Sequence, residues 1–325
     1  MSSSSHEILH AVRLVRARLP PRGRRVGGAR PRHRLRRRVR EALADPCQGE
    51  VVPRSPVAAT AVEFTHRAMS VLAFVLVLAL AIWAWRLFRP GRPARRVAMA
   101  SLFFLVMEAL LGAGLVLLGF VAGDASAGRG WAMALHLGNT FLLLASLALT
   151  AAWSDRTGGM TARGRGSLPV LVAIAAVVAL LTGASGAIAA LGDTLFPATS
   201  FAQGFQQDFE RGAHVLLRLR ILHPTLAVLA SVCVVGAAVT AMRVRPLPRV
   251  RRTALALLAL VGVQLLAGMV NLALLAPIWL QLAHLVLADL IWIGIVLLGA
   301  NALEPAGQEA RAAAAPTISP RRWAG

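Results

Sequence analysis

The chain contains 325 residues, of which 57% are hydrophobic and 15% are charged, and its mean hydropathy is +0.65. Globular domains carry about 25% charged residues, so this composition indicates a membrane protein. The net charge of +21 would suit a nucleic acid, and all 35 basic residues are arginine. Beyond residue 40, however, the arginines are concentrated in alternate loops, which is a pattern of membrane topology, so we expect no nucleic-acid partner.

The first 45 residues form an arginine-rich stretch without an apolar run. Residues 1–40 contain 13 arginines, which makes them the most basic part of the chain. One interpretation is a transit peptide, since such peptides are rich in arginine and poor in acids. The other is a segment that replaced a first membrane helix, for instance through a reading-frame error. Under either interpretation we predict neither a span nor a packed domain in residues 1–45.

Seven apolar runs follow, each about as long as the roughly 20 residues that a helix needs to cross a bilayer. They cover residues 66–88, 97–122, 131–153, 168–191, 215–242, 252–276 and 278–301. Arginine-rich loops remain in the cytoplasm, and three loops fit that description: 86–96, 154–167 and 243–252. This topology predicts a cytoplasmic C-terminus, with residues 304–325 as a disordered tail.

Four histidines lie near the predicted outer ends of four of these runs: His66, His136, His223 and His284. Ionisable side chains are rare within membrane spans and indicate a functional site. A single histidine there could equally form a hydrogen bond between helices. Four at matching depth, in two pairs, favour two haems, each held by two imidazoles. His214, nine residues before His223, falls on the opposite side of a helix and is predicted to be interfacial.

The second half of the chain repeats the first. His136 and His284 each follow a tryptophan by five residues, and the preceding run carries Glu108-x-x-x-Gly112 in the first half and Gln264-x-x-x-Gly268 in the second. A repeat offset by an even number of spans keeps its orientation, so the halves are parallel repeats. The predicted fold is an all-α polytopic membrane protein with two such halves. The N-terminal half covers residues 46–167 and the C-terminal half residues 168–303.

Several motifs in order resemble the haem A synthase family over residues 46–301. They are Glu63-Phe-Thr-His66-Arg67, Gly192-Asp-Thr-Leu-Phe-Pro197, Arg218-Leu-Arg220-Ile-Leu-His223-Pro224 and His284-Leu-Val-Leu-Ala-Asp289. Members of the family have four helices in each half, so the resemblance implies three plus four here. The family's external cysteine pair is represented by Cys47 alone.

The resemblance implies an oxidoreductase of haem A biosynthesis for cytochrome oxidase assembly. Such enzymes oxidise the C8 methyl of haem O to a formyl group through a hydroxymethyl intermediate. By resemblance, His223 and His284 ligate a resident haem b, while His66 and His136 ligate haem O as the substrate. A two-haem b-type cytochrome that only transfers electrons would use the same histidines and is the alternative.

The two halves differ one turn before their leading histidines. Glu63 precedes His66, and Arg220 occupies the aligned position before His223. A carboxylate at a haem edge can act as a general base or stabilise positive charge, so Glu63 is the catalytic candidate. The alternative is that Glu63 only interacts favourably with the helix dipole. Arg67, Arg218 and Arg220 are candidate propionate partners, with interfacial snorkelling as the alternative.

The resemblance also implies a location and partners. The expected location is the bacterial cytoplasmic membrane, and the lipid bilayer is therefore one partner. Haem O, a haem O synthase that delivers it and an electron acceptor of undetermined identity are the others. A homo-oligomer is compatible with the sequence.

Overall fold

A computed structural model describes the backbone of residues 58–121, 123–156 and 158–305, and the side chains from residue 64 onward. Within these ranges the chain is helical, with no strand. The predictions for residues 1–45, for Cys47 and for the tail beyond residue 305 lie outside the described residues, as does the side chain of Glu63.

The helices in chain order are α1 (Ala58–Leu87), α2 (Pro93–Leu117), α3 (Ala127–Trp153), α4 (Leu168–Leu195), α5 (Phe201–Phe209), α6 (Val215–Arg220), α7 (Leu222–Val244), α8 (Pro248–Ala273) and α9 (Ile278–Ala302). Seven spans in the described part of the chain are long and apolar enough to cross a membrane, with α6 and α7 together forming the fifth. The all-α polytopic class is therefore confirmed.

Four helices begin earlier than their apolar runs, and two of them, α2 and α8, begin at a proline. The runs predicted starts at residues 97 and 252, whereas α2 begins at Pro93 and α8 at Pro248. Proline favours the first helical turn, where its missing N–H costs no hydrogen bond. The first turns of both helices therefore include arginines, which hydropathy alone had assigned to the loops.

The helices of the C-terminal half, α4, α7, α8 and α9, share a core of small side chains. Helix α4 packs on α7 and α9, and α8 packs on α7 and α9. Ala175, Ala238, Ala254 and Ala302, one from each helix, are completely buried. Small residues allow helix backbones to approach closely. Within a bilayer the hydrophobic effect does not drive helices together, so membrane helices depend on such close van der Waals packing.

In the N-terminal half α1 packs on α2, and α2 packs on α3. Three residues of α1 are buried, Val77, Ala81 and Ala84, at the spacing of a single helix face. Val77 meets Leu105 of α2 and Leu143 of α3 in one apolar cluster. Helix α1 is thus held along one stripe in the described part of this half.

The two halves meet where α3 packs on α4 and α9. The Phe141 ring stacks on Trp292 with centroids 5.2 Å apart and planes inclined by 15°. Trp292 Nε1 donates a hydrogen bond of 2.5 Å to the Phe141 carbonyl. A Cβ at Gly183 would lie 2.7 Å from the Phe141 ring, so this position on α4 requires glycine as it stands. These contacts determine how the first half docks against the second.

A buried ion cluster joins the opposite ends of several spans, on the side where the arginine-rich loops lie. Glu304, which is 3% exposed, pairs with Arg156 at 3.7 Å and with Arg249. Arg165 donates to the Glu304 carbonyl at 2.5 Å, and Arg156 donates to Asn301 Oδ1 at 2.9 Å. The cluster connects the loop after α3 to α8 and to the end of α9.

Candidate haem site

The four candidate ligands lie at one end of the bundle. His66, His136, His223 and His284 lie on α1, α3, α7 and α9, within the first ten residues of each helix. These helices belong to the first, third, fifth and seventh spans. Positions near the start of each helix agree with the common depth expected from the sequence, which stays a prediction.

The rings of His223 and His284 lie close together in an edge-to-face arrangement. Their ring centroids are 6.3 Å apart and their planes are inclined by 78°. An imidazole nitrogen lies about 2 Å from a metal that it binds, and the ring centre lies about 1 Å further away, so two rings on one iron have centroids roughly 6 Å apart. The spacing of this pair fits a single iron held between the two imidazoles.

Hydrogen bonds orient the His223 ring. Its Nδ1 lies 3.2 Å from the Thr182 carbonyl and 3.2 Å from Ser185 Oγ, both on α4. Metal-binding histidines usually use the second ring nitrogen in this way, and the remaining nitrogen is then available to the metal. A Cβ at Gly186 would lie 3.0 Å from His223 Cε1, so the ring rests directly against the α4 backbone.

His284 has a different environment. The Gln264 side-chain Nε2 lies 3.2 Å from His284 Nε2, and a Cβ at Gly268 would lie 3.2 Å from His284 Cε1. His284 Nδ1 is buried without a hydrogen-bond partner among the described residues. Gln264 was recognised in the sequence as the counterpart of Glu108, but its contact with the ligand histidine was not foreseen.

The two histidines of the N-terminal half lie in different environments. His136 lies against α2, where Glu108 Oε1 is 3.4 Å from Nδ1 and a Cβ at Gly112 would be 3.9 Å from Nε2. The His66 side chain is exposed. The pairing of His66 with His136 and the catalytic role of Glu63 therefore stay predictions.

The three arginine candidates differ in their surroundings. Arg220 donates to Asp193 Oδ1 at 2.6 Å and to Asp208 Oδ1 at 2.5 and 3.0 Å. Arg218 donates to the Arg211 carbonyl at 2.6 Å. The Arg67 side chain is exposed. Their assignment to haem propionates stays a prediction, and for Arg220 it would require a propionate to share the guanidinium with two carboxylates.

Sequence reasoning missed Asp208 and only partly assigned Asp193 and His214. Asp208 gave no signal because it approaches Arg220 only through the fold of α5, whereas Asp193 belongs to a motif that could have indicated it. His214 is the N-cap of α6, where its Nδ1 accepts a hydrogen bond from the Leu216 amide at 3.3 Å. Its ring packs on Phe196 at 5.0 Å between centroids, which agrees with a structural role.

Fold and site together define a multi-pass helical membrane protein with paired histidines at one end of the bundle. The model of the cytochrome oxidase assembly protein family matches residues 50–296. The chain belongs to this family, which includes the haem A synthases that it resembles.

Individual relatives support the same assignment. A protohaem IX farnesyltransferase of Thermus thermophilus is 47% identical over 258 residues, which are 79% of this chain and 42% of the relative. The haem A synthase of Alkalihalophilus pseudofirmus is 36% identical over 103 residues, 32% of each chain. That of Shouchella clausii is 33% identical over 145 residues, 42% of this chain and 46% of the relative. The chain thus matches less than half the length of each.

Proposed function

We propose that this protein is a haem A synthase, which oxidises the C8 methyl of haem O to a formyl group through a hydroxymethyl intermediate. The observation that carries the proposal is the His223–His284 pair, whose ring centroids at 6.3 Å suit one haem iron in a chain that belongs to this family. The product would serve the assembly of cytochrome oxidase.

The two halves would bind different haems. In the C-terminal half, His223 and His284 would hold a haem b, which when bound supplies one-electron transfer. In the N-terminal half, His66 and His136 would hold haem O, with Glu63 one turn before His66 on the same helix face. There the carboxylate would accept a proton or stabilise positive charge developing at the methyl carbon.

The Thermus relative suggests a partner. Its name describes farnesyl transfer to protohaem IX, and 58% of its length lies outside the match, since the matched share is 42%. We propose that a haem O synthase supplies the substrate of this protein.

The test is to express the full chain with a haem O source, purify it and extract its pigments. A haem A synthase yields hydroxymethyl or formyl haem together with haem B. An electron-transfer cytochrome with the same ligands yields haem B alone, and that result in a folded, haem-loaded protein would overturn the proposal. The matched control is the His136→Ala variant, which should retain haem B and form no oxidised product.

A further inference from the structure

A carboxylate within the second span faces one histidine of the N-terminal pair. Glu108 of α2 has a side chain that is 22% exposed, and its Oε1 lies 3.4 Å from His136 Nδ1. Thr140 Oγ1 donates to the same oxygen at 2.5 Å, and Asn139 Nδ2 donates to Oε2 at 2.5 Å. Asn139 also donates to the Phe104 carbonyl at 2.9 Å, one turn before Glu108. Both carboxylate oxygens are therefore engaged by α3.

The three groups on α3 lie on one face of the helix. His136, Asn139 and Thr140 are three and four residues apart, so their side chains project together towards α2. The Asn139 amide and the Thr140 hydroxyl are donors, and their hydrogen bonds hold the Glu108 carboxylate in place. His136 Nδ1 is buried without a hydrogen-bond partner among the described residues, and the Glu108 carboxylate lies 3.4 Å from it. The other nitrogen, Nε2, then lies beside Gly112, where a Cβ would be 3.9 Å away.

The C-terminal half lacks this arrangement. Gln264 replaces Glu108 in the repeat, and Leu287 and Ala288 replace Asn139 and Thr140. The Gln264 amide approaches Nε2 of His284 rather than Nδ1. The Glu108 carboxylate, held by two hydrogen bonds, thus lies beside His136, whereas the neutral Gln264 amide lies beside His284.

We propose that Glu108, anchored by Asn139 and Thr140, is a positioning residue that presents His136 Nε2 to the iron of the substrate haem and strengthens its electron donation. The inference rests on the proposed function in placing that haem between His66 and His136. A carboxylate that accepts from the outer nitrogen raises the basicity of a ligand imidazole and stabilises the more oxidised metal. Iron at His136 should therefore be harder to reduce than it is without the carboxylate.

The experiment measures reduction potentials of the purified full chain loaded with haem B, so it does not depend on turnover. His136→Ala identifies the component that belongs to the N-terminal half. Glu108→Gln should then raise the midpoint potential of this component and leave the other unchanged. We expect about a tenfold change in the ratio of oxidised to reduced haem at a fixed potential, which is about 59 mV for one electron. Gln264→Glu is the matched control and should leave the N-terminal component unchanged.

An unchanged potential in Glu108→Gln would overturn the proposal. If that variant loses the N-terminal haem, Asn139→Leu decides, because it keeps the carboxylate and removes its anchoring amide. A higher potential in Asn139→Leu supports the proposal, and wild-type behaviour refutes it. Failure of the proposed function would look different: the wild-type protein would form no hydroxymethyl or formyl haem, whatever the potentials of the variants.

Discussion

Glycines lie against three of the four candidate ligands, and each is on the helix that packs beside the histidine. Gly112 adjoins His136, Gly186 adjoins His223 and Gly268 adjoins His284. Only the pair Gly112 and Gly268 emerged from the sequence repeat, because Gly186 faces a leading histidine rather than a trailing one. At Gly186 and Gly268, where a Cβ would lie 3.0 and 3.2 Å from the imidazole, the absent side chain allows the ring to lie directly against the neighbouring helix.

Gly186→Ala should weaken haem binding in the C-terminal half. The new methyl would lie 3.0 Å from His223 Cε1, so the ring must move by a few tenths of an ångström. Alanine stabilises a helix relative to glycine by up to about 1 kcal/mol. A loss of haem would therefore result from displacement of the His223 ring and not from a weaker helix. We expect a severalfold lower content of haem B by pigment extraction.

Gly112→Ala is the matched control, because its methyl would lie 3.9 Å from His136, an ordinary van der Waals contact. Equal haem contents in the two alanine variants would contradict the close approach at Gly186.

Replacing His223 or His284 with alanine should remove the tightly bound haem b. One remaining ligand cannot maintain a six-coordinate low-spin iron. The absorption spectrum of the reduced protein measures this directly. His214→Ala is the control, since His214 caps α6 and should affect stability rather than the spectrum. A complete low-spin haem B spectrum in either ligand variant would show that the C-terminal half has been assigned wrongly.

Glu63→Gln should leave the haem content nearly intact and stop the oxidation of haem O. The amide preserves the size of the side chain but removes the charge and basicity that the chemistry needs. Product analysis of the extracted haems, normalised to haem B, is the measurement. Wild-type conversion by this variant would leave helix-dipole stabilisation as the role of Glu63.

At the scale of elements, α5 is attached to the bundle through one arginine. Arg220 is the last residue of α6, and its side chain donates hydrogen bonds to Asp208 of α5 and to Asp193 of α4. It also donates to the Gly204 carbonyl of α5 at 3.3 Å. Apolar runs and arginine counts predicted a loop between the fourth and fifth spans but not this short helix. The sequence of a nine-residue helix with mixed polarity looks like that of a polar loop, because so short a helix is stable only when tertiary contacts hold it.

Asp208→Asn should loosen α5 without unfolding the spans. A hydrogen bond to a charged group is worth about 1.5 to 3 kcal/mol, and the amide replaces a charged acceptor with a neutral one. Hydrogen exchange of the amides in Phe201–Phe209 should therefore accelerate, while exchange in α4 stays unchanged. Glu210→Gln, just beyond α5 and exposed, is the control. Equal exchange in the two variants would show that the Arg220 contact does not hold the helix.

At the scale of the whole molecule, the two ends of the bundle serve different purposes. The histidines gather at one end, and the cluster around Glu304 ties the spans together at the other. The arginines of this cluster were read from the sequence only as markers of topology. Three of them instead contact a single buried acidic residue: Arg156, Arg165 and Arg249.

Glu304→Ala should destabilise the protein while leaving the haem spectrum of the residual folded fraction unchanged. Removing one partner of a buried ion pair costs about 3 to 5 kcal/mol, because the opposite charge is left uncompensated. The temperature of half-loss of monodisperse protein in detergent is the suitable measurement, and Glu210→Ala is the surface control. Equal values for the two variants would show that the Glu304 cluster contributes no stability.

Much of the architecture was determined by the sequence alone. A bilayer requires long apolar helices, so hydropathy suffices to predict the seven spans. Arginine-rich loops stay on one side of the membrane, so the distribution of charge predicts on which side each loop lies. The repeat placed all four histidines at one depth because depth depends only on distance along a helix.

Only the tertiary structure decided which side chains meet across helices. Glu108 reaches His136, and Arg220 reaches Asp208 rather than solvent. Such pairings depend on the rotation of each helix about its axis and on which neighbour it packs against. That packing is determined by side chains far apart along the chain, such as Phe141 and Trp292. The periodicity of a single helix contains no information about which helix it packs against.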